Sequence, residues 1–149
     1  MTGQPAKRSY YLGIDVGGTN VKAGVVDHRG HPQSYCSQPT EAARGPQQGV
    51  ETICRTAQQA IAESEIDVTA LRAIGLATPG TMDIPAGVLL DPPNLPGWTN
   101  LPIRQLIADR FEKPTVLQND ANAAAFGEYW AGAGRTAHSL VMITLGTGV

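Results

Sequence analysis

Gly13-Ile14-Asp15-Val16-Gly17-Gly18-Thr19-Asn20-Val21-Lys22 is an apolar run that ends on an acid, followed by two glycines, a hydroxyl residue and a lysine. Tyr10 to Val16 reads as a strand stopped by the glycine pair. Without a Cβ in the way, such a turn brings backbone N–H groups close to an anion. Successive N–H groups of this kind form a concave anion site. Asp15, just before the turn, is placed to hold Mg²⁺ or its waters beside the same phosphates. The glycine spacing is neither that of a P-loop nor that of the dinucleotide fingerprint, both of which need a helix directly afterwards. Here Val21 to Asp27 alternates apolar and polar residues and reads as a second strand. An ordinary Gly-Gly hairpin is the competing reading of the turn. Lys22 alternates with core residues, so it is either a phosphate contact or a solvated side chain.

Outward from that turn, His28 to His31 is a second turn and Gln33 to Ser37 a third strand, so the chain opens as an antiparallel three-strand meander. Pro39 to Pro46 is loop. Val50, Ile53, Cys54, Ala57, Ala60 and Ile61 recur at helical spacing and predict an amphipathic helix over Gln47 to Ser64. Leu71 to Ala77 is a buried strand ending at Thr78-Pro79-Gly80, and Ile84 to Leu90 a short hairpin around Ala86-Gly87. Asp91 to Pro102 holds four prolines and is loop. Ile103, Leu106, Ile107 and Phe111 mark a second helix. Thr115 to Leu117 is a short strand, Ala121 to Trp130 an alanine-rich helix ended by Gly132-Ala133-Gly134, and Ser139 to Leu145 a last strand. A meander followed by alternating helix and strand predicts an α/β fold with a mixed sheet.

The 149 residues are one domain's worth of chain, with 42% hydrophobic and 16% charged residues. A net charge of −2 argues against general nucleic-acid binding. No stretch approaches the roughly 20 apolar residues of a bilayer span. Met1 to Ser9 is polar, lacks the apolar core of a signal peptide, and is expected to be disordered or extended; a cytoplasmic location follows. Cys36 and Cys54 have no partner at metal-ligand spacing and read as reduced thiols. His28, His31 and His138 sit beside turn residues and read as surface positions.

Three further clusters carry chemistry. Leu145-Gly146-Thr147-Gly148 repeats the small-plus-hydroxyl pattern at the end of an apolar run, which makes Gly146, Thr147 and Gly148 a second candidate phosphate turn. Asn119-Asp120 falls where a strand ends and a helix begins, the place where ligands of open α/β sheets gather. There Asp120 is suited to take the proton of a hydroxyl nucleophile, and Asn119 to hydrogen-bond a neighbouring hydroxyl. Helix N-capping is the alternative, and the helix N-terminus makes the carboxylate a weaker base. Phosphoryl transfer tolerates a weak base, because its loose transition state needs the nucleophile positioned more than deprotonated. In Thr78-Pro79-Gly80-Thr81 and Pro93 to Trp98, Gly80 gives close backbone access and Asn94 offers a donor and an acceptor to a polyol. Trp98 reads as a hydrophobic anchor, and Glu128 and Trp130 as structural.

Taken in order, Gly13 to Lys22, Ala77 to Gly80, Pro93 to Trp98, Asn119 to Ala124 and Leu145 to Gly148 resemble the ROK family of bacterial sugar kinases and sugar-responsive repressors, its glucokinases above all. The resemblance implies an actin-like ATPase domain with a ribonuclease H-like core. It implies transfer of the γ-phosphoryl group of ATP to a hexose hydroxyl, in glucokinases the one on C6. By position it makes Asp120 the catalytic base and Gly80, Asn94 and Asn119 sugar contacts. Gly17, Gly18, Thr19 and Lys22 become the first phosphate loop, Gly146, Thr147 and Gly148 the second, and Asp15 lies close to Mg²⁺. Family members are longer. Residues 10–149 are then an incomplete first domain, and a structural Zn²⁺ site, further sugar contacts and the rest of the nucleotide pocket belong to a second domain absent here. A homodimer is usual in the family. The fragment alone is expected to be inactive. A ROK-type repressor is the alternative, although Met1 to Ser9 is too short for the helix-turn-helix such proteins carry first. A non-catalytic actin-like scaffold fits less well, because Asp120 is present. Glucose, mannose, N-acetylglucosamine and N-acetylmannosamine all remain open as the sugar, and ATP or polyphosphate as the donor.

Overall fold

The computed structural model describes residues 9–145. Strands β1 (Tyr10–Val16) and β2 (Asn20–Asp27) pair antiparallel with Asp15 opposite Lys22. Side chains alternate between the two faces of a strand. One face of this pair therefore carries Leu12, Ile14, Val16, Val21, Ala23 and Val25, all buried. Strand β3 (Cys36–Pro39) pairs antiparallel with β2 and starts later than the sequence predicts. The preceding residues spend their polar groups elsewhere: Gln33 N–H donates to the Val25 carbonyl at 2.7 Å, and the Ser34 hydroxyl donates to the Ala60 carbonyl at 2.6 Å. Regular pairing resumes only at Cys36.

Helix α1 (Pro46–Glu63) lays Ile53, Cys54, Ala57 and Ala60 on the buried face. Its first-position proline fits there, because that N–H has no intrahelical acceptor. Strand β4 (Leu71–Thr78) runs parallel to β1. Strands β5 (Thr81–Asp83) and β6 (Val88–Asp91) form a separate hairpin. After helix α2 (Ile103–Phe111), strand β7 (Thr115–Asn119) runs parallel to β4 and leads straight into helix α3 (Asp120–Trp130). The sheet order is β3-β2-β1-β4-β7.

The core lies between α1, α2 and one face of this sheet. Trp98 is fully buried in it against Gly49 of α1, where a Cβ has no room. The proline loop is thus pinned by its tryptophan. Both cysteines are buried and free, and the three histidines are exposed.

The opposite face is open. Gly13, Gly75, Val116 and their neighbours line a groove of about 1590 Å³. Helix α3 bridges it, and its end meets Gly30 in the turn after β2 through Trp130 and Ala131. Residues 139–145 are not a strand, contrary to their sequence pattern: Val141, Ile143 and Leu145 are exposed. An alternating apolar strand is stable only with a neighbour to pair with, and none lies beside this segment among the described residues. No helix among the described residues is long and apolar enough to cross a membrane.

Candidate active site

The glycine turn joins β1 to β2. Gly17 N–H donates to the Asn20 carbonyl at 2.9 Å. Neither Gly17 nor Gly18 has a positive φ. Glycine is needed at 18 for space, since a Cβ there would stand 2.8 Å from the Asn94 carbonyl oxygen and 2.9 Å from the Asn94 Cβ. The proline loop therefore seats Asn94 directly on the turn. The N–H groups of Gly18 and Thr19 find no acceptor among the described residues. Gly80 has φ +85°, and a Cβ there would meet Pro92 Cα at 2.6 Å. Gly80 thus ties the end of β4 to the same loop, and its conformation and packing account for the glycine.

Strand register sets a row across the open face. Lys22 pairs with Asp15, Asp15 with Ala77, and Ala77 with Gln118. Neighbouring strands lie about 4.8 Å apart, so Asp15 and Gln118 stand roughly 10 Å apart across Ala77. Lys22 Nζ lies 3.7 Å from Asp15 Oδ2, with both side chains about half exposed (49% and 46%). A pair that wet is weak. Burial pushes the Asp15 carboxyl above its ordinary value; Lys22 pulls it back, and the Asp120 carboxylate pushes it up again. The two acids therefore sense each other from β1 and from the start of α3.

At that start, Asn119 caps the helix: its Oδ1 accepts from Ala121 N–H at 3.1 Å and from Asn122 N–H at 3.3 Å. Asp120 Oδ1 accepts from Ala121 N–H at 2.9 Å, and its second oxygen accepts from no described residue. The capping reading thus falls to Asn119, while Asp120 keeps a free oxygen on the open side. Gln118, to which the sequence reading gives no role, accepts from Asn119 N–H at 2.8 Å and from Asn122 Nδ2 at 3.4 Å. Its signal was available, because Leu117 is core and alternation sends Gln118 to the opposite face.

Asp15, Lys22, Gly17, Gly18, Thr19, Asn94, Gly80, Asn119 and Asp120 therefore gather at the carboxyl ends of β1, β4 and β7. Gly146, Thr147 and Gly148 lie outside the described residues. No three His, Cys, Asp or Glu side chains cluster as a metal cage among the described residues. A divalent ion beside Asp15 would have one or two protein carboxylates and otherwise water or phosphate oxygens. That donor set suits Mg²⁺, which keeps several of its waters.

This chain is similar to the glucokinase of Thermotoga maritima, with 33% identity over 93% of the chain and 42% of that protein. It is similar also to a putative xylose repressor of a Caldicellulosiruptor species, with 25% identity over 93% of the chain and 34% of the repressor. Its fold matches a ROK hexokinase from Thermus thermophilus with a TM-score of 0.77 and 36% identity, over 85% of the chain and 40% of the other. It also matches a ROK family glucokinase from Streptomyces griseus, solved with glucose and AMPPNP, with a TM-score of 0.76 and 34% identity over 86% of the chain and 38% of the other. The chain thus spans about two-fifths of the length of these glucokinases and hexokinases. Its mixed sheet is that of the actin-like ATPase fold. The ROK family signature matches residues 11–149, and the chain belongs to the ROK family.

Proposed function

We propose that this chain is the first part of an ATP-dependent hexose kinase, which transfers the γ-phosphoryl group to a sugar hydroxyl, with the C6 hydroxyl of glucose as the leading acceptor. One observation carries the reading. The free oxygen of Asp120 and the Asp15–Lys22 pair face one open surface, beside a turn with two unclaimed N–H groups. Glucokinase relatives and a neighbour solved with glucose and AMPPNP support it.

In this reading Asn94 and Asn119 hold sugar hydroxyls; the Asn119 oxygen caps α3, and its amide nitrogen donates to no described residue. Asp120 accepts a hydrogen bond from the reacting hydroxyl, aims it at the phosphorus, and takes its proton late. The N–H groups of the Gly17-Gly18-Thr19 turn, with Lys22, hold phosphate oxygens, and Gly146, Thr147 and Gly148 serve as the second phosphate loop. Asp15 would hold Mg²⁺, which when bound neutralises charge on the phosphates. A second domain would complete the nucleotide and sugar pockets and carry the structural Zn²⁺, and the whole protein would work as a cytoplasmic homodimer.

Coupled ADP release with Mg·ATP and a hexose panel tests the proposal. The 149-residue chain alone is expected to show negligible turnover, and the full-length protein robust turnover with glucose. Fragment turnover comparable to that of a full-length relative would remove the need for a second domain. A full-length protein that binds hexose and releases no ADP would instead favour the repressor reading.

A further inference from the structure

We infer that Thr40 is a positioning residue of the phosphate-binding turn; the inference rests on the assignment of that turn to phosphate. Amides that face an anion require the turn's carbonyls to face elsewhere, because a carbonyl oxygen aimed at phosphate repels it. Thr40 takes two of the turn's three carbonyls. Its hydroxyl donates to the Gly17 carbonyl at 2.6 Å, and its own N–H donates to the Thr19 carbonyl at 2.9 Å. The side chain is fully buried.

An ordinary two-residue hairpin would close differently. The Asn20 N–H would return a bond to the Gly17 carbonyl, matching the one Gly17 N–H makes to Asn20. That return bond is absent among the described residues, and Thr40 occupies the acceptor instead. Thr40 can do so because the β2–β3 ladder ends with Pro39 opposite Asn20, and the next residue steps across under the turn. On another side Asn94 backs Gly18. The turn is therefore clamped between two loops, with the N–H groups of Gly18 and Thr19 left over. Such donors are fixed before the ligand arrives and need little reorganisation when it binds.

The test uses the full-length protein with two substitutions. Thr40→Val keeps the shape and deletes the hydroxyl; Thr40→Ser keeps the hydroxyl. KM for Mg·ATP, KM for glucose, kcat and the melting temperature are measured for each. Thr40→Val is expected to raise KM for Mg·ATP about tenfold or more while KM for glucose stays within about twofold. Thr40→Ser is expected to hold KM for Mg·ATP near wild type even where its melting temperature falls. An unchanged KM for Mg·ATP in Thr40→Val, an equal rise in both KM values, or a Ser variant as impaired as the Val variant would overturn the inference. If Thr40→Val does not fold, Thr40→Cys, a weaker donor of similar size, must raise KM for Mg·ATP, and an unchanged value overturns the inference. Amide exchange of the wild-type protein with and without Mg·AMPPNP separates the two levels. No protection at residues 17–20 sinks the phosphate assignment and the role of Thr40 with it. Protection there, together with an indifferent Thr40→Val, sinks Thr40 alone.

Discussion

Burial resists the charge on Asp15. Its folded pKa lies above the ordinary value, so as pH rises the unfolded chain gives up this proton first, and ionisation of Asp15 weakens the fold. Asp15→Asn is therefore expected to melt no lower than wild type at pH 7, while turnover of the full-length protein with Mg·ATP is lost. Thermal melts beside ADP release check both, and a clearly lower melting temperature would show that the carboxylate is structural. Asp27 shows the opposite sign. Burial pushes it up, but the N–H groups of His31 and Arg29 and the His31 ring outweigh that and hold it at about 2. Its contribution is present above the ordinary carboxylate value of 3.8 and fades as pH falls towards 2. A carboxyl ¹³C titration showing an ordinary pKa would contradict it. Asp15 and Asp120 were legible in the sequence as acids at the ends of predicted strands, Asp15 before a glycine turn and Asp120 before a helix. Thr40 was not: a threonine after a proline in a loop gives no sign that it will be buried beneath a turn 23 positions earlier.

Helices and strands were legible where one face is buried. The spacing of Ile53, Cys54, Ala57 and Ala60 placed α1 to within one residue at each end. The sequence misled where polar side chains replace ladder bonds, as Ser34 does before β3, and where an alternating segment has no neighbour to pair with, as at residues 139–145. The β4–β5 turn gives the sharpest test at this scale. Gly80→Ala forces a Cβ onto a positive-φ residue and into Pro92. It is expected to cost about 2 kcal/mol in chemical denaturation and to raise KM for the sugar, because Pro92 leads into Asn94. Unchanged stability would mean that the loop gives way freely.

Among the described residues, one sheet face is left as an open groove that only helix α3 bridges. Alternation shows which residues share a face, and composition cannot show what lies over it; the glycines and alanines of that face gave no warning in the sequence. Val116 and Phe126 are two-thirds exposed around the groove (65% and 67%). Apolar surface left open in this way promotes association. The isolated 149-residue chain is therefore expected to bind an apolar dye and to self-associate as its concentration rises. A dye-silent monomer by sedimentation would contradict that. The same open face presents Asp120, on which the proposed chemistry depends. The most direct measurement is Mg·ATP-dependent phosphorylation of glucose by the full-length protein and its Asp120→Asn variant, with glucose affinity measured in parallel. Turnover is expected to fall by about 10²–10⁴-fold while glucose affinity stays within a few-fold; unchanged turnover would remove Asp120 from the chemistry and contradict the assignment of this site.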